Sequence, residues 1–366
     1  MIKEKPSLLA ESFSWLLLTL GVAYFSWAAY AVAYSYSMDY AVVVDMVRNM
    51  AAGKDFPVFF YGQAYMGSLE PAVSALICAI FGPSPFCVCL GTALLGIATL
   101  VATLLVGKRL AGAWGGFFSL LLALTGGFYW VHFMVSPRGG YALATLLVVS
   151  SLSLAALGRF EDPDSGRIRL VPAGLFGFSA GLAFWNVWLA FPAFAAAGLV
   201  ILARIRHRVF SIRFLLPVLL SFFVGSAPWW IWSLKNGLGA LDMGGGGLEA
   251  SGMRALSGIP LFLMPQFYST ASSASAFWRS PLPWTLAAIL VVSLAAIFLQ
   301  RRPRQLLFLL AVVLYTGLFA FIYAGTPFGT MGVARYLVPF VPVFSILSGS
   351  ALFSRFLSAT VTEFQV

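Results

Sequence analysis

Charged side chains are scarce in this sequence. They make up 9% of its 366 residues, whereas hydrophobic residues make up 61% and the mean hydropathy is +0.93. This composition leaves too little polar surface to cover a soluble globule, so lipid must be the solvent. Apolar runs of about 20 residues recur from end to end, which excludes a soluble domain with one anchor. We therefore expect one all-α polytopic membrane domain over residues 1–366, with no soluble C-terminal domain.

The familiar signatures of nucleotide and metal chemistry are also missing. The sequence has no P-loop, no HExxH, no EF-hand and no Ser/His/Asp arrangement, so ATP-driven or zinc chemistry is not expected. Cys78, Cys87 and Cys89 lie in apolar surroundings without ligand spacing, so we expect no metal or redox site there. His132 is interpreted as a packing residue. The net charge of +10 comes in short clusters without aromatic interleaving, so no nucleic acid partner is expected.

Ten apolar runs bounded by charge, proline or glycine are predicted to cross the membrane as helices. A further apolar piece at residues 69–82 is short of the ~20 residues that a spanning helix needs, so we expect an interfacial helix there. The predicted spans lie at about residues 13–34, 86–107, 112–133, 140–157, 171–188, 189–203, 212–232, 283–300, 305–323 and 336–353.

The basic clusters give the predicted orientation. If residues 69–82 do not cross, every cluster falls on one side, which the positive-inside rule makes cytoplasmic. Both termini are then inside, and two long segments with interfacial helices, residues 35–85 and 233–282, are outside, where we expect the function. The clusters are Lys3/Lys5, Lys108/Arg109, Arg159 with Arg167/Arg169, Arg204/Arg206/Arg208, Arg301/Arg302/Arg304 and Arg355.

The first outer segment concentrates charge: residues 38–71 carry four acids and two bases. Asp39 directly follows the first span and opens a predicted helix over 40–52, where it serves as the N-cap, as a reactive carboxylate, or as both. Asp45, Arg48 and Asn49 form a polar stripe that predicts a helix lying on the membrane surface. Glu70 opens the next short helix on the same outer rim, where the helix dipole alone also favours an acid.

Two arginines are predicted on the outer side, against the orientation bias. Arg138 and Tyr141 lie in the turn between the third and fourth spans, and Arg335 and Tyr336 lie at the outer mouth of the last span. Arg138 fits either a simple interface residue or a binder of an anionic headgroup. Both arginines need an anionic partner on this side, and a phosphate would serve.

Together these residues resemble the GT-C superfamily of polyprenyl-phosphate-sugar-dependent glycosyltransferases, especially the bacterial protein-mannosyltransferase-like branch. The resemblance covers most of the membrane core. It implies a membrane enzyme that moves a sugar from a polyprenyl phosphate to an acceptor on the outer face, with Asp39 at the reacting centre. The family usually has two adjacent acids there, whereas Tyr40 follows Asp39 here. The resemblance rests on SMDYAVVVDMVRNMAAGKDFP, YGQAYMGSLEPAVSALICAIFG, SPRGGYAL and ARYLVPFVPVFSIL.

The resulting expectation is an inverting glycosyltransferase of the plasma (inner) membrane with a glycan, lipid or protein acceptor. No residue is assigned to a metal, and a requirement for a divalent cation is left open. Two alternatives remain, a lipid-linked sugar flippase or other transporter, which should carry ionisable residues deep in several spans, and a noncatalytic assembly subunit. The expected site residues are Asp39 for catalysis, Arg335 and Arg138 for the donor phosphate, and Asp45, Glu70, Tyr65, Tyr141 and Tyr336 for further contacts.

Overall fold

The computed structural model describes residues 8–34, 37–237, 281–324 and 337–363, and this part of the chain is almost entirely helical. The predicted all-α polytopic membrane class is confirmed. A two-stranded antiparallel hairpin, β1 (Phe59–Phe60) and β2 (Gln63–Gly67), interrupts the helices near the start. The helices are α1 Leu8–Val32, α2 Met38–Ala51, α3 Leu69–Phe81, α4 Pro85–Leu124, α5 Gly127–Val135, α6 Tyr141–Leu157, α7 Leu170–Asn186, α8 Phe191–Ile205, α9 Ile212–Gly225, α10 Ala227–Asn236, α11 Pro281–Gln300, α12 Pro303–Ala324 and α13 Phe340–Glu363.

Within the described residues, four helical stretches are long and apolar enough to cross a membrane. They are α1, α4, α8 with its flanking 3-10 turns, and α12. The pair α9 and α10, bent by 64°, makes a fifth if it counts as one span. Shorter apolar helices fill the remaining predicted spans, so the expected number of ten stays a prediction.

The long helix α4 is two arms joined by a sharp break. An unbroken helix of 40 residues would extend ~60 Å, about twice the hydrocarbon thickness. Ala111 and Gly112 leave helical geometry, and Gly112 has a φ of 78°, which suits glycine. The second arm folds back on the first. The two arms are in close contact, since a Cβ on Gly107 would come within 2.5 Å of the Ser119 hydroxyl. The sequence placed the end of one span and the start of the next at this break.

The arms of α4 form the centre of the bundle. They pack against α1, α3, α6 and α13, while α7 pairs with α9 and α12 packs on α6 and α8. Two amide side chains tie the last helices together, because Gln305 donates to the Ser350 carbonyl and Gln300 to the Ala351 carbonyl, both at 2.9 Å. Such bonds hold helices together where lipid offers no partner.

Lys108 pairs with Glu11, near the start of α1. This ion pair places the Lys108 end of the first α4 arm beside the N-terminal end of α1. The sequence predicted that Lys108 and the N-terminus share one side, and the contact agrees with that relative placement. Which side faces the cytoplasm stays a prediction.

The short helix α3 runs antiparallel to the first turns of α4. The Ser74 hydroxyl donates to the Val88 carbonyl at 2.9 Å, and Cys78 and Cys87 form a disulfide with their Cα atoms 5.3 Å apart. The expectation of no metal or redox site said nothing of a pairing, so this disulfide is a structural feature that sequence reasoning missed. The available signal was the FGPSPF turn, which folds the chain back between the two cysteines.

We expect the disulfide to stabilise the junction between α3 and α4. A loop of this size implies a contribution of about 2–3 kcal/mol, so Cys78→Ala/Cys87→Ala should lower the melting temperature in detergent. Cys89→Ala is the matched control, since Cys89 is outside the disulfide. Mass spectrometry after denaturation and alkylation should find only Cys89 modified without reductant. Alkylation of all three cysteines without reductant would contradict the pairing.

Candidate functional site

The first turn of α2 fixes the position of Asp39. The Ser37 side chain accepts a hydrogen bond from the Tyr40 amide at 3.3 Å, so Ser37 is the N-cap. Of the two interpretations of Asp39, the one in which it caps the helix is therefore wrong. The buried Tyr40 hydroxyl donates to the Ala33 carbonyl at 2.8 Å and lies 3.4 Å from the Pro85 carbonyl. These contacts anchor the turn against α1 and α4. The Asp39 side chain is exposed on that anchored turn.

The rest of α2 has the predicted amphipathic character. Val43, Met46 and Val47 are buried, whereas Asp45 and Arg48 are exposed on the opposite face. The end of the helix is joined to the hairpin. Asn49 donates to the Tyr61 hydroxyl at 3.1 Å, and that hydroxyl donates to Asp55 at 2.8 Å.

The sequence predicted only an irregular interfacial turn where the hairpin lies. The indole N–H of Trp185, at the end of α7, donates to the Val58 carbonyl at 2.9 Å. Phe59 packs edge-on against Trp232 of α10, with ring centroids 5.0 Å apart. Tyr65 on β2 is partly buried. The hairpin therefore joins α2 to α7 and α10.

Asn186 is a structural residue of the site that sequence reasoning missed. Its side-chain oxygen accepts a hydrogen bond from the Leu69 amide at 3.0 Å, which caps the start of α3 from another helix. A Cβ on Gly67 would come within 2.5 Å of that oxygen, so this close approach requires glycine. The available signal was a single asparagine inside the apolar run AFWNVWLAF.

The carboxyl group of Glu70 faces the N-terminus of α6. The side chain is 1% exposed, and the backbone amides of Gly140 and Leu143 stabilise its charged form. Because the N-cap of α6 is a glycine with no side chain to offer, Glu70 supplies a cap from α3. The residue opens α3, as predicted, but its carboxyl group points into the protein.

Burial has the largest effect on the titration of Glu70. It raises the pKa of the carboxyl group to about 7, although the two amides and the Thr92 hydroxyl act in the opposite direction. By geometry, however, neither Oε2 of Glu70 nor the Thr92 hydroxyl has a hydrogen-bond partner among the described residues.

Arg138 lies in the loop between α5 and α6, directly before two left-handed glycines. Its Nε–H donates to the Ser136 hydroxyl at 3.2 Å, and no carboxylate of the described residues lies within 4 Å of its guanidinium. The loop packs on the hairpin, since a Cβ on Gly139 would come within 2.3 Å of the Met66 methyl group. Tyr141, the first residue of α6, is buried and packs edge-on against Phe133. Arg138 is therefore a partly exposed cation on a rigid loop.

The structure joins Tyr65, Glu70, Arg138 and Tyr141 in one continuous unit, which consists of the hairpin, the start of α3, the loop and the start of α6. Asp39 and Asp45 lie on α2, which is attached to this unit through Asn49 and Tyr61. Arg335, Tyr336 and nearly all of the segment 233–282 lie outside the described residues. Within the described ranges, no group of three or more His, Cys, Asp or Glu side chains is placed to hold a metal ion.

No protein-family model matches the sequence, and no curated protein matches it. Solved structures do match. ArnT from Cupriavidus metallidurans in the apo state superimposes with a TM-score of 0.64 at 17% identity, covering 95% of this chain and 61% of that one. ArnT bound to undecaprenyl phosphate gives 0.65 at 14% identity, with 92% and 59% covered. The Archaeoglobus fulgidus oligosaccharyltransferase complex with Zn and sulfate gives 0.50 at 13%, with 95% and 49% covered.

These likenesses show that the chain shares the fold of ArnT and of the oligosaccharyltransferase. The chain spans 59–61% of the length of ArnT and 49% of the oligosaccharyltransferase. At these identities the likeness concerns the fold.

The pKa of Glu70 predicts a pH-dependent stability. Its folded value of about 7 lies above the ordinary 4.5, so between these values the folded protein holds a proton that the unfolded chain has released. Stability should fall as pH rises through this window, and Glu70→Gln should remove that contribution. From pH 4.5 to 7, we expect the melting temperature of Glu70→Gln to rise relative to that of the wild type.

Glu70→Ala separates the cap from the charge. This variant loses the acceptor for the α6 amides and should be less stable than Glu70→Gln at every pH. If the melting temperatures of wild type and Glu70→Gln differ by the same amount at every pH, the raised pKa is contradicted.

Proposed function

We propose that the protein is an inverting glycosyltransferase that moves a sugar from a polyprenyl-phosphate-linked donor to an acceptor on the outer face of the plasma membrane. The observation that carries this proposal is the shared fold with ArnT, including the structure bound to undecaprenyl phosphate, over more than nine tenths of this chain. The acceptor class is a glycan, lipid or protein.

Arg138 supplies the charge that such a donor requires. When the bond between the anomeric carbon and the phosphate oxygen breaks, the departing polyprenyl phosphate gains negative charge. A guanidinium offers paired N–H donors to phosphate oxygens and stabilises that charge. Its only hydrogen bond among the described residues uses Nε, which leaves the terminal nitrogens available.

Asp39 supplies the acid–base function in this proposal. Its carboxylate takes the proton of the acceptor hydroxyl as that oxygen attacks the anomeric carbon from the face opposite the phosphate, which inverts the configuration. The exposed position allows an acceptor to reach it, and the Tyr40 contacts hold the turn. Because Ser37 is the N-cap, a structural role of Asp39 in capping is weakened.

Two independent features support the outer-face orientation. A disulfide persists in an oxidising compartment, and Cys87 lies two residues from Pro85, whose carbonyl approaches Tyr40 beside Asp39. The opposite end of the bundle carries Lys108 and Arg204, the charge expected on the cytoplasmic side. Both features give the same orientation.

The alternatives fit the described residues less well. A flippase that moves a charged headgroup should carry ionisable groups deep in several spans, whereas Glu70, in a short helix, is the only fully buried charged residue of the described part of the chain. A noncatalytic subunit has no need of an exposed acid on an anchored turn. The assay below separates both from a transferase.

We expect Asp39→Asn to abolish most transfer without unfolding the protein. Asn keeps the shape of the side chain but cannot accept a proton, and general-base catalysis is commonly worth ~100-fold to ~10,000-fold. The measurement is release of labelled sugar from a polyprenyl-phosphate donor in membranes that contain the variant. Asp164→Asn, exposed beyond the far end of α6, is the control. A near wild-type rate in Asp39→Asn would reject this role.

We expect Arg138→Gln to weaken binding of the donor phosphate by roughly 10-fold to 100-fold, the range for a charge-assisted contact. Native mass spectrometry would compare undecaprenyl phosphate with undecaprenol, which lacks the phosphate. The variant should lose the preference for the phosphate, while Arg109→Gln at the other end should keep it. Arg335→Gln is tested in the same way. An unchanged preference in Arg138→Gln would remove Arg138 from the site.

A further inference from the structure

A cavity of about 390 Å³ lies at the far end of α6 from the candidate site. It is lined by Arg159, Phe160, Glu161, Pro163, Arg204 and Ile205. The 17 residues of α6 separate it from Tyr141 by ~25 Å of helix rise. The proposed transfer does not use these residues, so the cavity needs a separate explanation.

Arg204 is held in place at the cavity wall. One terminal nitrogen donates to the Ala155 carbonyl, and the guanidinium lies 6.0 Å from the centre of the Phe160 ring. The side chain is half-buried. A guanidinium fixed in this way loses little conformational freedom when it binds an anion.

The one acid in the cavity lining does not balance the positive charge around it. Arg204 is attracted by Glu161 and repelled by Arg304. Glu161, the acid in the lining, pairs at 3.0 Å with Arg208, and no carboxylate of the described residues lies within 4 Å of Arg159, Arg204 or Arg304. A bound anion would relieve the repulsion between these arginines.

A role in membrane orientation alone does not require this arrangement. The positive-inside effect needs only basic residues near the ends of spans, which solvated side chains satisfy. Here one arginine is half-buried, stacked and hydrogen-bonded beside a cavity. Arg206, which follows shortly after, adopts φ 52° and ψ −133°, a conformation uncommon outside glycine. These features are typical of a binding site.

We propose that this cavity binds a phosphate group of an anionic ligand, with Arg159 and Arg204 as its donors and Arg304 adding charge. The volume lies within the range of small-ligand sites, about 300–1,000 Å³. The segments that form the wall are bordered by exposed apolar side chains, Val171, Phe210 and Ile212. An apolar border places the cavity at the lipid boundary, where the headgroup of an anionic lipid can enter. The proposal does not depend on the transferase activity.

Native mass spectrometry of the purified protein tests this site with phosphatidylglycerol against zwitterionic phosphatidylcholine. Wild type should prefer phosphatidylglycerol by about 10-fold or more, and Arg159→Gln/Arg304→Gln should lose most of that preference. Both side chains are exposed, so the variant should keep its melting temperature. The charge-matched control is Arg109→Gln/Arg213→Gln, which removes two exposed arginines outside the cavity lining. This double variant should keep the preference.

A second measurement identifies the source of the phosphate. Competition of phosphatidylglycerol binding by millimolar glycerol phosphate or inorganic phosphate would indicate a site for free phosphates. Retention of the lipid under those conditions would indicate a headgroup site. The proposal is overturned if wild type shows no preference, or if the control double variant loses it to the same extent as Arg159→Gln/Arg304→Gln.

Discussion

The candidate site depends on how two helix ends are satisfied at one end of the bundle. In a membrane protein, an uncapped helix end away from water leaves amides without partners, at a cost of several kcal/mol per group. Here Glu70 of α3 serves the amides of α6, and Asn186 of α7 serves the start of α3. Each cap comes from a different helix. The mutual position of α3, α6 and α7 is therefore determined by polar contacts as well as by apolar packing.

The loop that carries Arg138 gains its rigidity from this arrangement. Gly139 lies against Met66 of the hairpin, and Gly140 against Val187 after α7, so a Cβ at either position would have to displace that side chain. Both glycines also have left-handed backbone angles. The Arg138 side chain thus projects from a backbone held on two sides. A rigid cation of this kind suits a phosphate ligand, because little conformational freedom remains to be lost on binding.

Hydropathy and charge in the sequence were sufficient for the fold class, for the amphipathic face of α2 and for the break in α4, because each follows from local composition. The hairpin, the pairing of Cys78 with Cys87 and the cap by Asn186 were missed, because each depends on contacts between segments that are not fixed by local pattern. The N-cap of α2 is Ser37, whereas sequence reasoning considered only Asp39 for that position. Both residues are good caps, and only the chain path after α1 decides between them.

Asp39 and Glu70, two of the three acids expected at the site, have different surroundings. Asp39 is exposed on an anchored turn beside the disulfide-linked junction of α3 and α4, where an acceptor can approach it. Glu70 is buried against the α6 amides, so its carboxyl group is closed to an acceptor in this arrangement. The exposed acid therefore fits the acid–base role proposed for Asp39. The buried acid fits a structural role, as the cap of the helix that follows the Arg138 loop.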